Sequence, residues 1–426
     1  MSENRVVVTG LGICAPNGTT VEAFTDAIKS GLSGIAHQPE LERLGFSCQV
    51  AGKPTLDEER IDQYFSALEM RSMDSSGIVY GVIAGLDAWR DAGLLPAGAD
   101  EPDWESGTFF GTGTSGINKF RWAINKIDEL GIRKLGSSVV AQTMASGVSA
   151  FISGKLGLGN RVSTNSSACA TGAESILLAY EHIKSGKAKR MLAGSTSDSG
   201  PYIWGGFDAM KVCTFKHNDT PHTASRPMSA TASGFVPGSG AGALVLESLD
   251  SALSRKAKIY AEIIGGSLNS GGQRGEGTMT APNPLAVQRC IIAALENAGI
   301  KAEDVEVING HLTATSKDAL EIENWKIALN RSKENFPYIN SLKGMIGHCI
   351  SASGSIECVA SVLQLHEGFI FPNVNCNDLN PEIALLIDEQ KIPRKTIKKN
   401  FDILAKASFG FGDVNACLIL KKYHNE

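Results

Sequence analysis

Short apolar runs that end in glycine-rich turns alternate along the chain with longer segments of helical spacing. Residues 5–12 read as a buried strand that ends in a glycine turn. Residues 73–92 carry apolar side chains at the spacing of one helix face. Further strands are predicted at residues 108–111, 161–164, 190–195 and 242–247, and further helices at 143–156 and 170–184. This alternation predicts an α/β protein in which helices cover a sheet.

A charged stretch near the middle of the chain, residues 251–258, interrupts the pattern, which then restarts with another apolar run. The sequence thus predicts two halves, residues 1–250 and 251–426. A short internal echo favours related halves, because residues 169–175 resemble residues 351–357 and each segment opens a helix after a polar turn.

Composition narrows the class of protein. The 426 residues are 42% hydrophobic and 20% charged, with a net charge of -5, which argues against a nucleic-acid surface. The nine cysteines are scattered singly, so neither a metal cluster nor a disulfide framework is expected. No apolar run approaches the ~20 residues of a membrane span, and residues 1–5 lack the apolar core of a signal peptide. We therefore expect a cytoplasmic protein with reduced thiols and no membrane insertion.

Cys169 is the candidate nucleophile. It lies among small residues, where an extended segment is predicted to turn into a helix. A helix N-terminus favours a thiolate, and a sharp turn directs backbone N–H groups towards a reacting carbonyl. The alternative is a buried core cysteine, which is the usual fate of an isolated Cys.

Two histidines follow predicted strands in the second half of the chain. His311 comes after residues 305–309, and His348 comes after residues 337–341 and Lys343. Neutral imidazoles could hold the oxygen of a developing enolate. Each histidine alone is more often structural, but two of them together with a candidate nucleophile favour catalysis of acyl transfer.

At these residues the chain resembles the β-ketoacyl-acyl-carrier-protein synthases of the elongating Cys-His-His class, within the thiolase-fold superfamily. The resemblance runs almost from end to end and is carried by several motifs together. These are residues 7–12, 168–172, 225–227, 234–238, 309–311, 343–348 and 408–412. It implies a five-layer αβαβα fold of two pseudo-symmetric halves, normally dimeric.

The resemblance also implies roles for individual residues. Cys169 would carry the acyl chain as a thioester, and His311 and His348 would promote decarboxylation of malonyl carrier protein and stabilise the enolate. The remaining matched positions would support the site: Lys343 and Glu321 as a charged pair, Phe411 as the gate and, with Cys169, the oxyanion hole, and Thr313 and Thr315 on the phosphopantetheine arm. No metal or other cofactor is implied, because decarboxylation drives the carbon–carbon bond.

Several positions depart from the pattern of the family. The departures are Leu312 and Ala314 in place of glycines, Met228 and Ser229 after Pro227, Ser233 in place of an arginine, Ser239 in place of an acidic residue, and Asp413 in place of a glycine. None removes a reacting group, and together they predict a specialised branch that elongates polyene or pigment-type chains.

Two further predictions concern chain length and the partner. Met144, counted back from Gly157, matches a position at the floor of the acyl pocket in relatives. Acidic carrier proteins require a basic docking patch, and a solvated helix face is the alternative for it. The candidates for the patch are Lys119, Arg121, Lys126, Arg133 and Lys134.

Three functions remain open at this point. The leading one is a decarboxylative condensing enzyme in fatty acid or polyketide synthesis, acting as a homodimer or with a related subunit. The second is a non-catalytic partner subunit that sets chain length, which the retention of all three reactive residues opposes. The third is a thiolase-like enzyme that acts on CoA esters, which the absence of a second catalytic cysteine opposes.

Overall fold

The computed structural model describes residues 4–424. The strands are β1 Val6–Cys14, β2 Ile35–His37, β3 Val50–Gly52, β4 Ser106–Thr112, β5 Val162–Ser163, β6 Arg190–Ser197, β7 Gly240–Ser248, β8 Ala261–Ser270, β9 Val307–Asn309, β10 Tyr338–Asn340, β11 Phe369–Ile370, β12 Ile397–Lys398, β13 Ile403–Gly410 and β14 Val414–Lys422.

The helices are α1 Val21–Ser30, α2 Pro39–Arg43, α3 Glu58–Asp62, α4 Ala67–Met70, α5 Ser76–Asp91, α6 Ile117–Asp128, α7 Ser138–Thr143, α8 Gly147–Leu156, α9 Thr171–Lys184, α10 Pro201–Ala209, α11 Leu249–Ser254, α12 Pro284–Ala298, α13 Asp318–Leu329, α14 Lys343–Ile346, α15 Ser353–Glu367 and α16 Pro381–Leu386. Two short 3₁₀ turns, Ala168–Ala170 and Ile350–Ala352, precede α9 and α15.

Strand order reveals two halves of the same design. Within residues 4–424, ten strands form one hydrogen-bonded sheet in the order β5-β4-β6-β7-β1-β8-β14-β13-β9-β10. Reading outward from the central pair, β1-β7-β6-β4-β5 in the first half corresponds to β8-β14-β13-β9-β10 in the second. The parallel and antiparallel pairings also match, with β4 parallel to β6 and β9 parallel to β13. The central strands β1 and β8 are antiparallel.

The helices form three layers around the two halves of the sheet. Helices α9 and α15 pack against each other and against strands of both halves, whereas α5 and α8 cover the first half and α12 packs on β8 and β14. Side chains alternate between layers: Leu244 and Leu246 of β7 belong to the central core, and Ala243 and Val245 face the α5 side. This is the predicted five-layer αβαβα fold of two pseudo-symmetric halves.

The internal echo seen in the sequence corresponds to equivalent structures. Ala168 and Ile350, the first residues of the two 3₁₀ turns, both have positive φ, at 48° and 50°. The turns bring the N-termini of α9 and α15 together at Gly172 and Gly354, where an added Cβ would meet backbone atoms of the other helix. The close approach of these two helix ends positions the candidate site.

Candidate active site

The nucleophile turn, Ala168–Ala170, holds Cys169 at the entrance to α9. The Thr171 hydroxyl accepts a hydrogen bond from the Ser167 amide at 2.9 Å and donates one to the Ala168 carbonyl at 2.7 Å. These two bonds close the turn around the strained Ala168. Cys169 is only 7% exposed, so the thiol faces the protein interior and the site.

Two backbone amides, those of Phe411 and Cys169, act on the sulfur. Burial raises the pKa of the Cys169 thiol, and the amide of Phe411, the Lys343 ammonium and the Cys169 amide act in the opposite direction. The net shift is upward, so the resting thiol is protonated. Both amide N–H groups can donate a hydrogen bond to a negative oxygen beside the sulfur, and they stay the candidate oxyanion hole.

His348 lies directly against the nucleophile. Its Nε2 is 3.2 Å from the Cys169 Sγ, while its Nδ1 accepts the Ile350 amide at 3.1 Å and lies 2.8 Å from the Ser353 hydroxyl. An amide can only donate, so Nδ1 carries no proton and the neutral ring must be protonated at Nε2. The ring thus presents an N–H to the reaction centre.

His311 completes the cluster from the opposite side. Its ring centroid is 5.4 Å from that of His348 at an interplanar angle of 85°, and ligand atoms of Cys169 and the two histidines all lie within 4.8 Å of one another. Burial, followed by the charge of Lys343, holds the pKa of both histidines well below its usual value. Both imidazoles are neutral near pH 7.

Two carboxylates at the start of α13 hold the loop that carries His311. Glu321 accepts the amides of His311 at 2.6 Å and Leu312 at 2.7 Å. Asp318 accepts the amides of Thr313 at 2.9 Å, Ala314 at 3.1 Å and Thr315 at 3.4 Å. Burial raises the pKa of Asp318 to about 6 and that of Glu321 to about 7. The two carboxylates therefore hold the loop through its backbone amides rather than through its side chains.

The expected pairing of Lys343 with Glu321 is wrong. Lys343 is 1% exposed and forms its ion pair with Glu357 of α15. Both oxygens of Glu321 instead accept backbone amides of the His311 loop. The second oxygen of Glu357 lies 2.8 Å from the Nζ of Lys406.

Sequence reasoning missed three charged residues that surround the site: Glu357, Lys406 and Asp318. Glu357 stands in the echo of residues 351–357, where an acidic residue inside a small-residue helix was an available signal. Lys406 interrupts the apolar run of β13 in the same way.

A cavity of about 310 Å³ connects the reactive cluster, which is Cys169, His311 and His348, to the surface. Its lining includes all the residues of the reactive cluster and also Thr313, Thr315 and Phe411. The Thr313 and Thr315 hydroxyls are 3.1 Å apart, and the ring of Phe411 lies 6.1 Å from that of Phe207. The structure thus brings the predicted gate and threonines to one channel with the nucleophile.

Met144 does not line this cavity. It follows the end of α7 and is 36% exposed in the single chain. The stretch predicted as one helix over residues 143–156 is split by Met144, with α8 beginning only at Gly147. The structure of the chain alone gives Met144 no contact with the acyl site.

The prediction that Lys119 belongs to the docking patch is also wrong. Lys119 is 4% exposed, and its Nζ donates to the Ser72 carbonyl at 3.0 Å and lies 3.4 Å from Asp74. It is buried because α6 turns this position towards the body of the protein, so it is not available to a partner.

Asp413 gives a structural reason for one departure from the family pattern. It adopts φ 62°, the region that favours glycine, and is 1% exposed. Its carboxylate accepts the amides of Gln273 at 3.0 Å and Asn283 at 2.8 Å. These bonds tie the Phe411 loop to residues 271–283, part of which lines the cavity.

Among residues 4–424, only Cys169, His311 and His348 form a group of three possible metal ligands at close range. A thiol in contact with an imidazole N–H is the arrangement of covalent catalysis, and we assign no metal to it. Over the same residues, no helix is long and apolar enough to cross a membrane.

The layered fold, with a thiol and two neutral imidazoles at the ends of paired helices, defines a condensing enzyme of the thiolase-like class. Comparison with known proteins agrees. The N-terminal domain model of the β-ketoacyl synthases matches residues 3–252, and their C-terminal domain model matches residues 260–377. The chain therefore belongs to the β-ketoacyl synthase family, whose members are acyltransferases.

Relatives of this family match along almost the whole chain. The 3-oxoacyl-[acyl-carrier-protein] synthase 2 of Vibrio harveyi is 34% identical and covers 99% of both chains. The chloroplastic 3-oxoacyl-[acyl-carrier-protein] synthase I of Arabidopsis thaliana is 33% identical over 99% of this chain and 87% of its own. Among solved structures, a β-ketoacyl synthase from Burkholderia phymatum has a TM-score of 0.89 at 28% identity, over 99% of this chain and 100% of its own.

Two further solved structures are informative for their assemblies. One is the ishigamide ketosynthase/chain length factor, with a TM-score of 0.87 at 27% identity over 99% of this chain and 100% of its own. The other is a type II polyketide ketosynthase in complex with its acyl carrier protein, with a TM-score of 0.86 at 29% identity over the same shares.

Proposed function

We propose that this chain condenses an acyl chain, held on Cys169, with malonyl carrier protein to give 3-oxoacyl carrier protein and carbon dioxide. The contact between His348 Nε2 and Cys169 Sγ, with Nδ1 already occupied by a backbone amide, carries the proposal. It supplies a nucleophile and a fixed N–H donor at one point.

In the first half-reaction, the Cys169 sulfur attacks the thioester carbonyl of the acyl carrier. The tetrahedral oxygen is held by the amides of Cys169 and Phe411. The carrier thiol leaves and takes up the proton that Cys169 gives up. The acyl chain is then a thioester of Cys169.

In the second half-reaction, the malonyl carboxylate departs as carbon dioxide, and its bonding electrons form an enolate on the thioester oxygen. The Nε2–H of His348 and the neutral ring of His311 stabilise this oxygen. The enolate carbon attacks the acyl carbonyl, and the Cys169 thiolate leaves and takes up a proton from solvent. Lys343 and Glu321 act through the histidines, Lys343 by its charge and Glu321 by holding the His311 loop.

Phosphopantetheine on acyl carrier protein is the proposed form of both substrates, and no other cofactor enters the scheme. Thr313 and Thr315 line the channel above the reactive cluster, where their hydroxyls suit the amide groups of an extended arm. The names of the Vibrio and Arabidopsis relatives and the solved carrier complex favour the same partner.

The assembly is proposed to be a dimer, either of two copies or with a related chain length subunit. Because this chain keeps Cys169, His311 and His348, it would be the catalytic member of a mixed pair. The division at residues 1–250 and 251–426 and the cytoplasmic location remain predictions, and residues 1–3 and 425–426 lie outside the described residues.

The substrates are proposed to be polyene or pigment-type chains rather than ordinary fatty acids, on the strength of the departures that include Asp413. Met144→Ala is expected to lengthen the accepted chain, if a partner subunit closes this position into a pocket. An unchanged product distribution would remove Met144 from the acyl site.

Intact-protein mass spectrometry tests the whole scheme. Wild type and Cys169→Ala are each mixed with a panel of acyl carrier proteins, and malonyl carrier protein is then added. We expect an adduct that requires Cys169 and then discharges as a chain two carbons longer. A folded protein without any adduct would favour the non-catalytic subunit, and a salt-insensitive preference for CoA esters would favour a thiolase-like enzyme.

A further inference from the structure

Lys406 is a fully buried cation for which the reaction scheme has no role. It lies within β13 and has no exposed surface. Its Nζ is 2.8 Å from the second oxygen of Glu357, lies 3.1 Å from the Ser408 hydroxyl, and also bonds the Ala407 carbonyl. Burying an ammonium group carries a large desolvation penalty even when it is paired, and the structure places this group in the charge cluster next to the reactive site.

Lys406 changes the net charge of the buried cluster that it forms with Lys343 and Glu357. Lys343 and Glu357 alone would form a neutral buried pair. Lys406 adds a second ammonium to the same carboxylate, and the three side chains together carry a net positive charge. None of them is more than 1% exposed, so water screens this charge poorly.

The other titratable groups around the imidazoles do not cancel that charge. Cys169 faces His348 as a protonated thiol. Asp318 and Glu321, from α13, are bound to backbone amides of the His311 loop, and burial raises their pKa to about 6 and about 7. Both carboxyls are therefore largely protonated below about pH 5, and the lysines then dominate.

We propose that Lys406 is a positioning residue for the condensation: as a second buried cation on Glu357, it disfavours a further positive charge on His311 and His348. Both rings then remain neutral N–H donors to the enolate in mildly acidic solution. The charge of Lys406 is among the causes that lower the pKa of each histidine: it comes after burial and Lys343 for His348, and after burial, Lys343 and His348 for His311. The inference rests on the proposed function, because it assigns the rings a role in enolate stabilisation.

The test compares charge removal with charge retention at one position. Lys406→Met removes the ammonium and leaves Lys343 and Glu357 as a neutral pair, whereas Lys406→Arg keeps the charge. Lys119→Met is the matched control, since Lys119 is also buried and paired with an acidic residue but lies outside the reactive cluster. The measurement is the pH dependence of malonyl-carrier decarboxylation by each enzyme.

We expect Lys406→Met to move the acid limb of this profile upward by about half to one pH unit, because removing a nearby like charge makes each ring easier to protonate. The rate above pH 8 should stay within about threefold of wild type, since the neutral rings are the working form there. Lys406→Arg and Lys119→Met should keep the acid limb of wild type. An unmoved limb in a folded Lys406→Met enzyme, or a lower plateau without a moved limb, would overturn the proposal.

A titration independent of activity separates this inference from the proposed function. The ring signals of His311 and His348 are followed by NMR from pH 8 down to the acid limit of folding in isotope-labelled wild type and in Lys406→Met, or in Lys406→Gln if the former does not fold. Upward movement of either titration supports the role of Lys406 even for an enzyme that forms no acyl adduct. Identical titrations would overturn it even for an enzyme that condenses normally.

Discussion

Each half of the molecule places a 3₁₀ turn followed by a long helix at the candidate active site, and the two turns carry different side chains. Residues 168–184 and residues 350–367 each start with a residue at positive φ, pass through a 3₁₀ turn and continue as a long helix. The first unit presents Cys169 at its turn, and Ser351 stands at the equivalent position of the second. The backbone therefore forms the same turn twice, but only the turn at Cys169 has an imidazole against its side chain.

The polar residues inside the two helices differ as well. Ser175 of α9 is buried and satisfied by neutral partners, donating to Asn165 at 2.7 Å and the Thr171 carbonyl at 2.9 Å. The equivalent residue of α15 is Glu357, which holds two buried lysines. In the proposed scheme the first half thus supplies the nucleophile, and the second half supplies the buried charges beside it.

Exchanging the reactive positions is the strongest test of this division. In Cys169→Ser combined with Ser351→Cys, we expect condensation to fall by at least about a thousandfold, because the introduced thiol has no imidazole partner. The Ser351 hydroxyl donates to the Thr196 carbonyl at 2.7 Å, so a side chain there points away from the substrate. Mass spectrometry with acyl carrier protein should find no adduct at position 351, and an adduct there would contradict the comparison. Ser351→Cys alone should still acylate at Cys169.

The next largest effect concerns the charge held by α15. Glu357→Gln should lower the free energy of unfolding by about 3–5 kcal/mol, because it leaves two buried ammonium groups without a counter-charge. Ser175→Ala, at the equivalent position of α9, should lower it by only about 1 kcal/mol. Denaturant unfolding of both variants checks the difference. Adding Lys406→Met to Glu357→Gln should recover part of the loss, and equal losses at positions 175 and 357 would be incompatible with a one-sided charge cluster.

The N-termini of α9 and α15 pack closely at Gly172 and Gly354, but we expect an added Cβ to destabilise the protein more at Gly172 than at Gly354. A Cβ at Gly172 would lie 2.3 Å from the Ser355 amide nitrogen, and a Cβ at Gly354 would lie 2.7 Å from the Ala173 amide nitrogen. Overpacking of this kind costs typically 1–3 kcal/mol, so we expect about 2–3 kcal/mol for Gly172→Ala and about 1–2 kcal/mol for Gly354→Ala. Thermal unfolding of the two variants measures the order, and the reverse order would contradict the prediction.

The smallest predicted effect is a pH dependence that arises in the second half. Burial raises the pKa of Glu321 from 4.5 to about 7, so the folded protein holds a proton that the unfolded chain releases. The resulting stability is fully present below pH 4.5 and is lost as the pH rises through about 7. Glu321→Gln removes this contribution, and its unfolding free energy relative to wild type should rise by about 1–2 kcal/mol from pH 4.5 to pH 6, since each unit of the difference in pKa is worth about 1.4 kcal/mol. A constant difference between the two proteins across this range would show that Glu321 does not titrate as described.

Much of the fold followed from local pattern. The run at residues 5–12 became β1, the helical spacing of residues 73–92 became α5, and the segment after Cys169 became α9. These elements are predictable because their apolar residues repeat at the period of a strand or a helix. The split at Met144 was not visible, since a small-residue stretch has the same composition whether it forms one helix or two.

The site was predictable to the extent that motifs carry it. Cys169, His311, His348, Thr313, Thr315 and Phe411 were named from their motifs, and the structure gathers them around one cavity. The predicted partner of Lys343 was wrong. Glu321 and Glu357 are both acidic residues on helices of the second half, and the sequence does not show which of them faces Lys343. The burial of Lys119 was missed for the same reason, as neither residue type nor spacing reveals which way a polar helix turns.

The sequence by itself determined the class of reaction and singled out the proposed nucleophile and the two histidines, because covalent chemistry requires particular side chains at particular turns. The tertiary structure alone decided the tautomer of His348, the pairing of Lys343 and Lys406 with Glu357, and the tie between Asp413 and residues 271–283. These features depend on distances of a few ångströms between residues far apart in the chain. Hydrogen bonds and buried charges change sharply over such distances, and no local pattern records them.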